Sequence, residues 1–208
     1  MKRPQIRILD ANGSYESIGY AHGSRFAEEI QEYTQDRIQL VAGGSWSGGP
    51  IVKSDILDLA ESMIPAHQGF DEDLFSELVA LAEGAQISVA EAIIVGGFTD
   101  FVDAVRAQIG GVTPPRLQED DCTAVLVPNG RAEGAGFLAQ TWDMHDTATE
   151  HVVLLRVRPD DSPAAIVFTT TGCVGQIGMN EHGVAVGINN LTGGDGQRGV
   201  AWTSVVRG

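Results

Sequence analysis

Cys122 is the residue in this chain best suited to covalent chemistry. It stands in "RLQEDDCTAVLVP", where Glu119, Asp120 and Asp121 lead into the thiol and an apolar, β-prone run follows at once. A thiol attacks a carbonyl carbon as the thiolate, and carboxylates beside it disfavour that form. In an uncut chain the residue therefore reads more readily as a buried strand cysteine. A cut before Cys122 changes the chemistry. The residue would then own a free α-amine, with a reference pKa of about 7.7–8.0. An amine near neutrality is a usable general base, and here it sits on the same residue as the nucleophile. No distant histidine is required.

Other residues invite weaker readings. Asp143, in "AQTWDMHD", closes an expected strand beside Trp142, which also describes a turn aspartate next to a packed indole. Asn189 and Asn190, in "VAVGINNLTGG", end another strand before glycines. On their own they read as turn asparagines that tolerate left-handed backbone. Cys122, Cys173, His145, His151 and His182 are metal-ligand types, but their spacings fit no compact zinc pattern, and no metal is expected. His145 and His151 are expected in a loop; His22 and His67 are expected on helix surfaces. The two cysteines could pair, although a reducing compartment argues against it. The pairs Gly43-Gly44 and Gly48-Gly49 lack the strand, helix and lysine of a phosphate-cradling loop, so no nucleotide cofactor is expected.

The elements that must position these residues fall into two halves. Residues 14–106 read mostly as helix. Ile18, Phe26, Ile30 and Ile38 recur at roughly helical spacing through "SYESIGYAHGSRFAEEIQEYTQDRIQLV", with Ser14 as N-cap. Further helices are expected over "SDILDLAESMIPAH", "DEDLFSELVALAEGAQ" and "SVAEAIIVGGFTDFVDAV"; in the last, Ser88 and Glu91 have capping-box spacing. Residues 107–121 form a polar connector. Strands are expected at 122–127, 136–143, 151–157, 164–171, 174–179 and 183–189, joined by short turns that favour antiparallel pairing. "AWTSVV" begins a final helix. Helices followed by a meandering sheet give an α+β fold. The uncapped end at "SVVRG" and the incomplete strand count lead us to expect a chain that continues past Gly208.

Composition narrows the partners. With 13 Lys+Arg against 28 Asp+Glu in 208 residues, the net charge is −15. Such a surface repels phosphate backbones and anionic lipid, so neither nucleic acid nor membrane is an expected partner. No apolar run approaches the ~20 residues of a membrane span, and the basic start has too short an apolar core for a secretory signal. A cytoplasmic location is expected.

Taken in order, these blocks resemble the isopenicillin N acyltransferase family of cysteine N-terminal-nucleophile hydrolases. "YAHGSRFAEEI" is similar to its glycine-containing first helix and "ELVALAEGAQISVAEAI" to its following helix pair. "DDCTAV" is similar to the nucleophile strand, and "GFLAQTWDMH" to a strand with Thr141 where asparagine is usual. "TGCVGQIGMNEHGVAVGINNL" is similar to the next hairpin, and "GVAWTSVVR" to the helix after it. The resemblance implies a four-layer αββα sandwich, present here only in part. It implies autocatalytic cleavage between Asp121 and Cys122. That cut would leave 1–121 as a helical α-chain, bound as a heterodimer to a catalytic β-chain whose first part is 122–208. Cys122 would be the nucleophile, Asp143 would orient the new amine or the substrate, and Asn189 would donate to the oxyanion. The implied substrates are a small-molecule amide or acyl donor, with acyl-coenzyme A as one candidate, and an amine or water acceptor; no cofactor is implied. Asp121 departs from the glycine frequent before the nucleophile. A choloylglycine-hydrolase-like amidase and a catalytically silent binding paralogue are the alternatives.

Overall fold

The computed structural model describes residues 6–110, 122–190 and 196–208. The chain opens with β1 (Arg7–Gly13), then α1 (Tyr15–Arg25), α2 (Ala27–Gly43), α3 (Lys53–Glu61), α4 (Ile64–Phe70), α5 (Glu72–Ala85), α6 (Val89–Gly96) and α7 (Phe98–Ile109). After the connector come β2 (Ala124–Val127), β3 (Phe137–Gln140), β4 (Val152–Pro159), β5 (Ala165–Thr170), β6 (Ile177–Asn180), β7 (Ala185–Val186) and α8 (Trp202–Arg207). The fold is α+β, as the sequence leads one to expect, and its five-stranded sheet is mixed. Among the described residues no single helix is long and apolar enough to cross a membrane.

The helix starts follow their local chemistry. Ser14 accepts from the Ser17 amide, Asp71 accepts from Leu74, and Ser88 with Glu91 forms a reciprocal capping box. Three expected helices are broken. Phe26 leaves helical geometry and divides the first into α1 and α2. Its ring is buried against the sheet with Ile18, Ile30, Val153, Leu155 and Val157. Residues 62–63 separate α3 from α4, and Gly97 separates α6 from α7.

Two features of the sheet differ from the expected meander. β1, not expected from the sequence, lies at its edge and pairs in parallel with β4. The order is β1-β4-β5-β6-β7, antiparallel from β4 onward. β2 and β3 form a separate antiparallel ribbon. The Gln140 side chain ties that ribbon to the main sheet region. Its amide accepts from the Ile188 N–H at 2.7 Å and donates to the Ile188 carbonyl at 3.0 Å, as a neighbouring strand would. Paired strand near 183–189 is limited to β7.

α1 crosses α5 at backbone contact. A Cβ on Gly19 would sit 2.0 Å from the Glu77 carbonyl oxygen, and one on Gly23 would sit 2.1 Å from that of Leu81. α1 packs on the inner face of the sheet, where Val153, Leu155 and Val157 of β4 point inward. α2, α3, α5, α6 and α7 enclose a second core around Ile56, Leu81, Ile94 and Phe101.

His22 and His67 are not on helix surfaces. Both are buried, and each accepts a backbone N–H from the later half of the chain. The His22 Nε2 accepts from Gly172 at 3.2 Å and the His67 Nε2 from Ala201 at 3.1 Å. Accepting at Nε2 leaves the ring proton on Nδ1, which in His67 is donated to the Met63 carbonyl, and burial lowers the pKa of both rings.

Candidate active site

The Cys122 thiol lies half-buried just before β2. Strand pairing brings residues 141–143 beside it. Thr141 follows β3 and its hydroxyl accepts from the Thr123 N–H at 3.0 Å. The same hydroxyl donates to an Asp143 carboxylate oxygen at 3.2 Å. The Asp143 backbone N–H points to the Cys122 sulfur at 3.3 Å. Asp143 therefore meets the thiol through its amide, while Thr141 holds its carboxylate.

Asn189 reaches the same residue from the segment after β7. Its side-chain Nδ2 donates to the Cys122 carbonyl at 2.7 Å. The Gln140–Ile188 clamp fixes the segment that carries it. Gly187 allows this approach, because a Cβ there would lie 2.4 Å from the Gln140 Oε1.

A cavity of about 250 Å³ joins these groups, lined by Cys122, Asp143, Asn189 and Asn190. Trp142, Met144, Ile188 and Trp202 supply its apolar wall, and Thr99 and Asp100 complete the lining. Asp143 and Asn189 are exposed to solvent. The sequence reading missed Thr99, Asp100 and Trp202 as site residues. Asp100 sits in the first turn of α7 and accepts from the Trp202 N–H at 2.7 Å, and the Trp202 indole donates to the Thr99 hydroxyl at 3.0 Å. The one sequence signal was the start of α8, whose N–H groups need an acceptor that no side chain of its own supplies. Burial raises the Asp100 carboxyl above its ordinary range, with Asp103 adding to the rise and the Trp202 N–H opposing it.

The other candidates lie elsewhere. Cys173 is a free, fully buried thiol that donates to the Gly96 carbonyl, and burial pushes its pKa up. His145 caps the short 3₁₀ turn 146–151, His151 stacks on Tyr33 at 4.1 Å between ring centres, and His182 is exposed in a turn. Asp121, the residue before the expected cut, lies outside the described residues.

A thiol, a held carboxylate and a carboxamide thus meet around one cavity. Comparison with known proteins gives a distant match. The chain is 26% identical over 185 residues to the 40 kDa form of acyl-coenzyme A:6-aminopenicillanic-acid-acyltransferase from Emericella nidulans. The match covers 88% of this chain and 46% of that protein. The chain thus spans about half the length of the curated relative it matches. No family model matches the chain.

Proposed function

We propose that this protein is a self-processing cysteine N-terminal nucleophile that cleaves or forms a non-peptide amide bond through a thioester on Cys122. The observation that carries the reading is the convergence of Asp143 and Asn189 on Cys122 at one cavity, by bonds of 3.3 and 2.7 Å. The four-layer sandwich belongs to the same proposal, and the acyltransferase similarity supports it.

In self-cleavage the Cys122 sulfur adds to the Asp121 carbonyl carbon. The bond from that carbon to the Cys122 nitrogen breaks, and the nitrogen takes up a proton. Water then opens the thioester, leaving Asp121 as a carboxylate and Cys122 with a free thiol and α-amine. In turnover the amine takes the thiol proton as sulfur attacks the substrate carbonyl. The leaving amine departs protonated, the acyl group stays on sulfur, and water or an acceptor amine removes it. Asn189 serves the oxyanion. A carboxamide has two N–H donors, of which one is used on the Cys122 carbonyl, leaving the second for the tetrahedral intermediate. Asp143, held by Thr141, orients the amine.

The two fragments of the cut chain would stay together. β1 is hydrogen-bonded to β4, and Glu77 of α5 forms a buried ion pair with Arg207 of α8 at 2.7 Å. Mass spectrometry of the protein and its Cys122→Ala variant tests the mechanism. The unaltered protein should give two polypeptides, the second beginning at Cys122, and the variant one uncut chain. An uncut unaltered protein that still turns over an amide would overturn it.

A further inference from the structure

Asp100 faces the same cavity as Cys122, yet no step above uses it. Its carboxylate is half-buried and accepts from the Trp202 N–H. The described cavity lining contains no lysine, arginine or histidine. The basic residue on its own helix is engaged elsewhere: Arg106 bonds Asp103 and the Trp46 carbonyl, each at 2.5 Å. A second carboxylate, Asp143, lines the cavity, as do two indole side chains, Trp142 and Trp202. Among the described residues the half-buried Asp100 carboxylate meets no basic side chain at this cavity, and carboxylates beside indoles form a setting that favours an ammonium ion.

We propose that Asp100 is a specificity residue that binds an ammonium group carried by the amine portion of the substrate. The preferred amides, or acceptor amines, then carry a second, cationic amine, as in a mono-acylated diamine. Substrates with a carboxylate or phosphate on that portion are disfavoured. Asp100 makes no bond to the reacting carbon. This rests on the acyl-transfer reading for the reaction, and on the cavity alone for the charge preference.

The test separates the two. Cys122 is modified with cationic 2-aminoethyl, neutral methyl and anionic 2-sulfonatoethyl methanethiosulfonates, each rate being divided by that with free cysteine. Intact mass reports the adduct, and Cys173 is 0% exposed. The cationic reagent should be favoured over the anionic one by about tenfold or more, the scale of local charge focusing. Asp100→Asn keeps an oxygen for the Trp202 N–H and should cut that preference several-fold. Asp100→Glu should retain it, and Asp160→Asn, which removes an exposed charge outside the cavity, should leave it unchanged. A preference unaltered in Asp100→Asn, or lowered equally in Asp160→Asn, overturns the proposal. Turnover is then compared for an N-acyl 4-aminobutylamide and the matching N-acyl butylamide. Turnover of both at equal kcat/KM also overturns it. Failure to turn over either amide, with the reagent preference intact, overturns the acyl-transfer reading and leaves the cation site standing.

Discussion

At the scale of single residues, the site depends on side chains whose hydrogen bonds are divided between structure and chemistry. Asn189 has one donor on the Cys122 carbonyl and, in the proposed mechanism, a second for a substrate oxyanion. Removing one oxyanion donor commonly costs about 10²–10³ in kcat. Asn189→Ala should therefore lower kcat by roughly that factor with little change in KM. Asn190→Ala should lower it far less. Steady-state kinetics on an N-acyl amide would check both, and a larger loss in Asn190→Ala would assign the donor to the neighbouring asparagine.

At the scale of elements, the crossing of α1 over α5 is set by glycine. Gly19 and Gly23 are four residues apart on one helix face, and each would place a Cβ against an α5 carbonyl. Close backbone approach is what glycine permits and alanine does not. Gly23→Ala must push the helices apart or distort them, and should lower unfolding free energy by about 2 kcal/mol, within the range for overpacking. Gly69, in α4, has nothing within 4 Å of such a Cβ. Gly69→Ala should leave stability unchanged or raise it by up to about 1 kcal/mol. Urea denaturation of both variants provides the measurement.

At the scale of the whole molecule, the segments on either side of the connector share a sheet and buried polar bonds. His22 lies at one such junction. Burial, and secondarily the positive charge of Arg207, lowers its pKa to about 4. The unfolded chain takes up a proton near the ordinary histidine value of ~6.5, whereas the folded chain does not until about pH 4. The folded state is therefore favoured above pH ~6.5 and loses up to about 3 kcal/mol as pH falls towards 4. Glu77 and Asp100 act in the opposite sense, because burial raises both carboxyls. The comparison with His22→Gln, whose amide oxygen can accept the Gly172 N–H, isolates the histidine. Between pH 6.5 and 4 the unaltered protein should lose more stability than the variant. Equal losses would mean that His22 is not the group responsible.

Legibility followed the range of the interactions. Caps at Ser14 and Ser88 were readable because each lies within one helical turn of the amide it bonds. Strands β4, β5 and β6 were readable from apolar patterning, and the change of grammar at Cys122 marked where helices give way to strands. The residues of the proposed chemistry were legible as a set of types in order along the chain. Their approach was implied by the resemblance and not by spacing: Asn189 is 67 positions from Cys122, and strand pairing and the Gln140 clamp bring them together. β1 was missed because its strand character is decided by a partner, β4, far along the chain. The burial of His22 and His67 was missed for the same reason, since their acceptor roles exist only once Gly172 and Ala201 are folded against them. Asp100 entered the cavity by tertiary contact alone. Local periodicity and capping are encoded by near neighbours, and so the sequence by itself determined most of the helical half and strands β4 to β6, but neither β1 nor the helix breaks. Cavity lining, desolvation and ribbon placement depend on contacts between distant residues, and only the tertiary structure decided them.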